Sequence, residues 1–260
     1  MATYLITGAT GGIGAVLSAR LAAAGHSLVM TARNKERLEA LSAELRKHYP
    51  GTFSTHALDF AQPESVSALG AALAEREAAL DGAVIMPPQP HATAEALPAS
   101  EAWESLFRTS FIAPLELLKA AVAIMSPDVV EGRRAKVVIV SGISSVQVLG
   151  NYATANVLRS AWLAEAKTLA FALGPQGIHV NTLSLGGTLT PVYRAAIEKR
   201  ALAAGISFED RLADETLNVP LGKYGSPQEV ATAIETLLSS FSDHITGVNI
   251  LHDGGFTRAY

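Results

Sequence analysis

Three polar side chains on one predicted helix have the types and spacing that proton chemistry needs. Asn156 and Arg159 follow Tyr152 by four and seven residues, and at about 100° per residue all three fall on one helix face. A tyrosine hydroxyl has an ordinary pKa of about 10, and a nearby positive charge favours its ionised form. Beside such a charge Tyr152 could exchange a proton more readily, and the alternative is a packed tyrosine at a helix start. Arg159 either supplies the charge or is an exposed helix residue.

A glycine-rich turn, TGATGGIG at residues 7–14, directly follows the first predicted strand and opens the first predicted helix. Gly8 permits a tight turn, Gly12 lets a pyrophosphate approach the backbone, and Gly14 allows the helix to pack closely on the strand. The helix start offers free N–H groups and the positive end of the helix dipole to phosphates. This pattern predicts a dinucleotide-binding site.

The end of the second predicted strand indicates which dinucleotide binds. NAD-binding chains place a carboxylate there for the ribose 2′-hydroxyl, whereas this chain has Arg33 followed by Asn34. A guanidinium suits a 2′-phosphate because it makes charge-assisted, bidentate hydrogen bonds. We therefore expect NADP(H), and the alternative is that Arg33 is a solvated charge at a helix start.

Short apolar runs alternate with longer amphipathic stretches along the whole chain. This alternation predicts a single Rossmann-type α/β domain over residues 1–260, a doubly wound, seven-stranded parallel sheet with helices on both faces. Ser226 and Glu229 form a capping-box pattern, and Gly25 and Gly174 mark helix ends. The strands are predicted at 3–7, 27–31, 53–58, 83–86, 136–141, 178–183 and 247–251, and the helices at 12–24, 34–48, 63–79, 101–125, 152–173, 191–214 and 227–240.

The composition excludes several classes of function. The net charge is −4, so no broad basic surface indicates nucleic acid, and the absence of cysteine excludes disulfides and a thiol nucleophile. The seven histidines show no metal-ligand spacing, and we predict no metal. No apolar run approaches the roughly 18 to 20 residues of a membrane span, and the N-terminus does not resemble a signal peptide. We expect a cytoplasmic protein that does not contact a membrane.

The chain resembles the short-chain dehydrogenase/reductase family over nearly its whole length. The resemblance rests on Thr7 before the Gly-x-x-x-Gly-x-Gly turn, on IHVNTLSLGGTLT at 178–190, and on residues 221–240 with ITGVNILHDGG at 245–255. It implies hydride transfer between a nicotinamide and a carbonyl or alcohol carbon. It also implies a set of cofactor-binding residues: Gly8, Thr10, Gly12, Ile13, Gly14, Arg33, Asn34, Asp59, Phe60, Gly186, Thr188 and Thr190.

The expected catalytic residues depart from the family pattern. Tyr152 matches the family's tyrosine, but Asn156 stands where the family has a lysine, and Ser110 where it has an asparagine. Residues 85–88 read Ile-Met-Pro-Pro instead of Asn-Asn-Ala-Gly. The family's serine corresponds either to Gly142, by the fifth strand, or to Ser144 or Ser145, by the ISSV segment. Enoyl reductases of the superfamily place their lysine seven residues after the tyrosine, which is the position of Arg159.

The sequence thus predicts an NADP(H)-dependent oxidoreductase that reduces a carbonyl or an activated C=C bond in an atypical active site. We predict Tyr152, Ser144 and Asn156 as catalytic residues and a substrate lid within 187–215. The expected partners are a small-molecule substrate and further copies of the chain, as a homodimer or homotetramer. The alternatives are a non-redox isomerase or lyase, and a catalytically silent cofactor-binding homologue.

Overall fold

The strands form at short apolar runs, the central ones buried on both faces, and all of them pair in parallel. The structure is a computed structural model that describes residues 1–76, 79–90, 93 and 95–259. In this part of the chain one seven-stranded sheet has the order β3-β2-β1-β4-β5-β6-β7, which confirms the predicted fold class. The strands are β1 (Thr3–Ile6), β2 (Ser27–Ala32), β3 (Phe53–Ala57), β4 (Gly82–Ile85), β5 (Ala135–Gly142), β6 (Ile178–Leu185) and β7 (Asn249–His252).

Helices cover the two faces of this sheet and divide the core in two. Alternate side chains of β5 point to opposite faces, so that Val137 joins one cluster and Val138 the other. The helices are α1 (Gly12–Ala23), α2 (Lys35–His48), α3 (Pro63–Ala74), α4 (Ser100–Phe107), α5 (Ala113–Ala123), α6 (Ala153–Leu173), α7 (Pro191–Ala204), α8 (Phe208–Thr216) and α9 (Pro227–Leu238). One face buries Leu69 of α3, Leu117 of α5 and Trp162 of α6. The other buries Leu17 of α1, Leu38 of α2 and Ile234 of α9.

The strand order reverses at the centre of the sheet, because β1 pairs with both β2 and β4. Ile6 lies opposite Met30 on one side and Val84 on the other. At such a switch point the connections leave in opposite directions and open a crevice at the carboxyl ends of the strands. The glycine-rich turn after β1 lies at this crevice.

Two predicted helices are interrupted in the structure. The predicted helix 101–125 contains a π-helical turn, Arg108–Ile112, between α4 and α5. The predicted helix 191–214 is broken between α7 and α8, because Gly205 adopts a left-handed conformation with φ of 68°. Gly25 follows α1 with φ of 83°, as predicted. Gly174 ends α6 with a right-handed φ of −53°, and the left-handed residue is instead Gly177.

The other predicted segments agree closely with the structure. The third predicted helix, 63–79, ends at Ala74, and part of its remainder lies outside the described residues. Among the described helices, none has the combination of length and apolar character that a membrane crossing requires.

The predicted capping box is present at the start of α9. Ser226 Oγ accepts a hydrogen bond from the Glu229 backbone N–H (3.2 Å), and the Glu229 carboxylate accepts one from the Ser226 N–H (2.7 Å). Hydrogen bonds from Lys223 and from Ser226 lower the pKa of Glu229 from 4.5 to about 2. Because this pKa is lower in the folded state, the carboxylate stabilises the fold above pH 4.5 and loses this contribution as the pH falls towards 2.

We therefore expect Glu229→Gln to lower the free energy of unfolding at pH 7, with a smaller difference from the wild type at pH 3. Urea unfolding at the two pH values measures both differences. Gln228→Ala, on an exposed neighbour in the same helix turn, is the control and should change stability equally at both pH values. A Glu229→Gln effect that is independent of pH would contradict this role of the carboxylate.

Candidate active site

A cavity of about 630 Å³ opens at the carboxyl ends of the central strands. It lies over the glycine-rich turn and extends past the ends of β4, β5 and β6 to α7. Much of the predicted cofactor site and the predicted proton donor surround it. The predicted residues that line it are Gly8, Gly12, Ile13, Gly14, Tyr152, Gly186, Thr188 and Thr190.

The glycine-rich turn is packed tightly at Gly12 and Gly14, where a side chain would collide with neighbouring atoms. A Cβ on Gly14 would lie 2.2 Å from the Gly8 carbonyl oxygen, and one on Gly12 would lie 2.8 Å from Pro191 Cδ. Gly8 itself has a φ of 64°. No side chain among the described residues caps the first turn of α1, which also contains no acidic residue. Its N–H groups are thus available to an anion such as a phosphate.

The ends of β2 and β3 carry the other predicted cofactor residues. Arg33 and Asn34 are exposed, and Asn34 Oδ1 caps α2 by accepting from the Arg37 N–H (2.7 Å). Arg37 Nη2 donates to the Thr10 carbonyl (3.2 Å), which ties α2 to the glycine-rich turn. Sequence reasoning missed Arg37 as a second cation near the turn.

Asp59 and Phe60 follow β3 and differ in their surroundings. Asp59 Oδ1 accepts from the Ala61 N–H (3.0 Å), whereas Phe60 is buried in the core. Neither lines the cavity, and neither do Thr10, Arg33 or Asn34, so their cofactor roles stay predictions.

Tyr152 stands at the start of α6, half-buried and facing the cavity. Its N–H donates to the Leu149 carbonyl (3.1 Å), and the next N–H, of Ala153, donates to the Thr93 carbonyl (3.1 Å). The two loops that follow β4 and β5 therefore both hold the start of this helix.

Asn156 is turned towards a loop backbone and does not line the cavity. Its Nδ2 donates to the Leu149 carbonyl (3.2 Å), and its Oδ1 accepts from the Leu149 N–H (3.4 Å). Both ends of the carboxamide are thus used to fasten the loop between β5 and α6. The structure does not bring Asn156 together with the other predicted catalytic groups.

Arg159 lies beside Tyr152 in the cavity, and the interpretation of it as an exposed helix residue is wrong. Its Nη1 donates to Ser144 Oγ (3.1 Å), and its Nη2 donates to Gln89 Oε1. Burial lowers the pKa of the guanidinium, and interaction with Tyr152 partly opposes this shift. Among the described residues no carboxylate lies within ion-pair distance of it.

The space that this guanidinium occupies exists because residue 142 is a glycine. A Cβ on Gly142 would lie 2.5 Å from Arg159 Nη1 and 2.6 Å from Cζ. Gly142 ends β5, the place where alignment by the fifth strand puts the family's serine. A side chain at this position would displace the guanidinium from the cavity.

The candidate serines have different partners. Ser144 is buried and accepts from Arg159, whereas Ser145 Oγ bonds Ser184 Oγ (3.1 Å). Ser110 lies in the π-helical turn, and its carbonyl accepts from Trp162 Nε1 (2.8 Å). Ser141 is the serine that lines the cavity, and its Oγ has no partner among the described residues.

Tyr193 and Glu215 of the predicted lid region, together with Tyr224, form the far wall of the cavity. The Tyr193 and Tyr224 rings lie edge to face with centroids 5.6 Å apart, and Tyr224 Oη donates to the Glu215 carbonyl (3.1 Å). Burial raises the pKa of Tyr193. Glu215 accepts two bonds from Arg200 (2.8 and 2.9 Å), which lower its pKa, and one from Arg211 (2.7 Å).

The sequence predicted a substrate lid within 187–215, which contains Tyr193 and Glu215, but did not single out either residue or Tyr224. Thr190 caps α7 by accepting from the Tyr193 N–H (3.2 Å), and Thr188 Oγ1 donates to the Gly186 carbonyl (3.3 Å). Among the described residues, no group of three or more His, Asp or Glu side chains could hold a metal ion.

Known proteins share both this sequence pattern and this fold. A family model described as "Enoyl-(Acyl carrier protein) reductase" matches residues 8–257. The granaticin polyketide synthase putative ketoacyl reductase 1 of Streptomyces violaceoruber is 28% identical to this chain. The alignment covers 96% of this chain and 91% of that protein. The 2,5-dichloro-2,5-cyclohexadiene-1,4-diol dehydrogenase of Sphingobium indicum is 29% identical, and the alignment covers 98% of this chain and 96% of that protein.

A solved structure is similar over the full length. The NADPH-bound short chain oxidoreductase of Pseudomonas aeruginosa PAO1, described as containing an atypical catalytic center, has a TM-score of 0.86 at 26% identity and covers 100% of this chain and 98% of its own. The chain belongs to the short-chain dehydrogenase/reductase family, a family of oxidoreductases.

The fit of Arg159 against Gly142 can be tested directly. We expect Gly142→Ala to displace the guanidinium and to break its hydrogen bonds to Ser144 and Gln89, with only a small change in the free energy of unfolding, because the group that must move is the end of a flexible side chain. The control is Gly174→Ala, where a Cβ would meet nothing within 4 Å. Urea unfolding and a crystal structure of each variant give the two readouts. An Arg159 that keeps both hydrogen bonds in Gly142→Ala would refute the fit.

Proposed function

We propose that this protein transfers a hydride between NADP(H) and a carbonyl or activated C=C carbon, with Tyr152 as proton donor and Arg159 as its positively charged partner. The observation that carries the proposal is the guanidinium of Arg159. It reaches the cavity beside Tyr152 through the space left by Gly142. Arg159 thereby supplies the positive charge beside Tyr152 that the neutral Asn156 cannot supply.

The choice of NADP(H) rests on the residues around the turn. The open first turn of α1 suits the pyrophosphate, and no carboxylate follows β2 to favour a bare 2′-hydroxyl. Arg33 supplies a cation at the end of β2, and Arg37 a second one bonded to the turn. The similar oxidoreductase from P. aeruginosa binds NADPH, which agrees with this choice.

The residues of the chain divide the proton chemistry between them. The bound nicotinamide supplies or accepts the hydride. Tyr152 donates its hydroxyl proton to the oxygen of a reduced carbonyl, and the phenolate regains a proton from solvent. Arg159 stays protonated throughout, and its charge favours the phenolate that Tyr152 leaves. Ser144 accepts a hydrogen bond from Arg159, so its role is to orient the guanidinium.

A C=C bond is the second candidate for the reduced group. The seven-residue interval between Tyr152 and Arg159 resembles the enoyl reductase spacing, and the matching family model carries the enoyl reductase description. The acetoacetyl and crotonyl thioesters of N-acetylcysteamine are matched probes for the two reactions. Oxidation of NADPH by one and not the other assigns the reduced bond.

The remaining alternatives lack a supporting observation of this kind. A silent homologue would be favoured by an Arg159 that points away from Tyr152, but the guanidinium faces the same cavity. No observation favours an isomerase or lyase. The single domain of residues 1–260, the substrate lid within 187–215, the homo-oligomer and the cytoplasmic location stay predictions.

Substitutions at Tyr152 and Arg159 test the division of roles. We expect Tyr152→Phe to reduce turnover of a responsive thioester by about 100-fold or more, because general acid catalysis is lost. Arg159→Met should act similarly, whereas Arg159→Lys retains the charge and should recover part of the rate. Tyr49→Phe, at the end of α2, is the control. Turnover by Tyr152→Phe at the wild-type rate would remove this tyrosine from the mechanism.

Calorimetric titration with NADPH and NADH tests the cofactor. We expect NADPH to bind more tightly, and Arg33→Ser to weaken NADPH binding by about 10-fold to 100-fold, since a charged hydrogen bond contributes about 1.5–3 kcal/mol. NADH binding should not change. Arg133→Ser, at another exposed arginine, is the control. If neither dinucleotide binds the wild type, the oxidoreductase proposal fails.

A further inference from the structure

The carboxamide of Gln89 is held at both ends in a single orientation. Its Nε2 donates to the Pro87 carbonyl (3.3 Å), and its Oε1 accepts from Arg159 Nη2. Because a carbonyl only accepts and a guanidinium only donates, the amide cannot be reversed without losing both bonds. Pro87, Pro88 and Pro90 surround Gln89 and restrict the backbone that carries it.

Two neutral acceptors orient the guanidinium of Arg159. Among the described residues its hydrogen-bond partners are the amide oxygen of Gln89 and the hydroxyl of Ser144, and its Nε is buried with no partner. Neutral acceptors fix the direction of the group and leave its charge uncompensated. A charge that is partly buried and unpaired acts strongly on a neighbouring group, because little water screens it.

We propose that Gln89 is a positioning residue that directs the charge of Arg159 towards Tyr152, and that it must remain neutral to do so. This inference rests on the proposed roles of Tyr152 and Arg159. It also accounts for two departures from the family pattern together. The Ile-Met-Pro-Pro sequence at 85–88 leads into Gln89, and Gly142 leaves room for the guanidinium that Gln89 binds.

A purely structural role and a positioning role for Gln89 predict different effects of Gln89→Glu, which replaces the amide by a carboxylate of the same shape. If Gln89 only fastens its loop to α6, Gln89→Glu should be tolerated, because a carboxylate binds a guanidinium more strongly than an amide does. If Gln89 positions an uncompensated charge, Gln89→Glu keeps Arg159 in place and neutralises it. Gln89→Leu instead releases the guanidinium and leaves it charged.

The experiment compares Gln89→Glu and Gln89→Leu with Gln176→Glu, a control at an exposed glutamine that donates only to the Ala172 carbonyl. The probe is whichever of the two N-acetylcysteamine thioesters the wild type reduces with NADPH. For Gln89→Glu we expect unchanged or higher thermal stability, unchanged NADPH affinity and KM, and a kcat lower by about 100-fold. Its pH–rate profile should also move to higher pH, since the added carboxylate opposes phenolate formation.

A second measurement needs no substrate. The Arg159 Nε–H signal in the ¹⁵N spectrum is the one that disappears in Arg159→Lys. The rate at which this proton exchanges with solvent reports whether the guanidinium is held in place. We expect slow exchange in the wild type and Gln89→Glu, and fast exchange in Gln89→Leu.

The outcomes separate the two proposals. Wild-type kcat in Gln89→Glu, or exchange in Gln89→Leu as slow as in the wild type, overturns the positioning role. If the wild type reduces neither thioester, the proposed function fails for these probes. A Gln89-dependent exchange rate would then still establish that Gln89 holds Arg159.

Discussion

The active-site end of the molecule is organised around one partly buried positive charge, Arg159, which has no carboxylate partner among the described residues. Removing a guanidinium from water is costly unless its N–H groups find acceptors. Here Ser144 and Gln89 are those acceptors, and they come from the segments that follow β5 and β4. Gly142 supplies the volume. Each of these three residues departs from a family motif or borders one, so the departures belong to one local arrangement.

The sheet makes this arrangement possible because parallel strands end at the same edge. β1, β4, β5 and β6 bring their following loops together around a cavity although the segments are far apart in sequence. The far wall is fastened separately, since Glu215 binds Arg200 and Arg211 and so links α7 to α8. Tyr224 joins the same cluster and packs its ring against Gly187, where a Cβ would lie 2.2 Å from it.

The sequence predicted the fold well because its strongest signals are local. Buried runs and amphipathic stretches are read within one element, as the capping box of Ser226 and Glu229 shows. The break at Gly205 was missed because the apolar pattern continues through it into α8. The π-helical turn around Ser110 has no simple periodic signature.

The candidate site was harder to predict because its contacts join distant residues. The glycine-rich turn was located correctly because one motif contains all of it. The direction of Arg159 depends on Gly142, seventeen positions earlier, and on Gln89, seventy positions earlier. Helical spacing placed Arg159 on the same helix face as Tyr152, but it could not show that the guanidinium would fit in the space beside Gly142. Asn156 was predicted as a catalytic residue from the same helical spacing, whereas its carboxamide bonds the Leu149 backbone.

The bonds between Asn156 and Leu149 constrain how this protein can change over evolution. A lysine at position 156 would lose both bonds that fasten the loop between β5 and α6. It would also put a second cation on the helix face that carries Arg159. The family's usual residue is therefore unfavourable here unless the loop and Arg159 change with it. A change of Asn156 to lysine alone would weaken the attachment of this loop, so the two arrangements are alternative solutions on one fold.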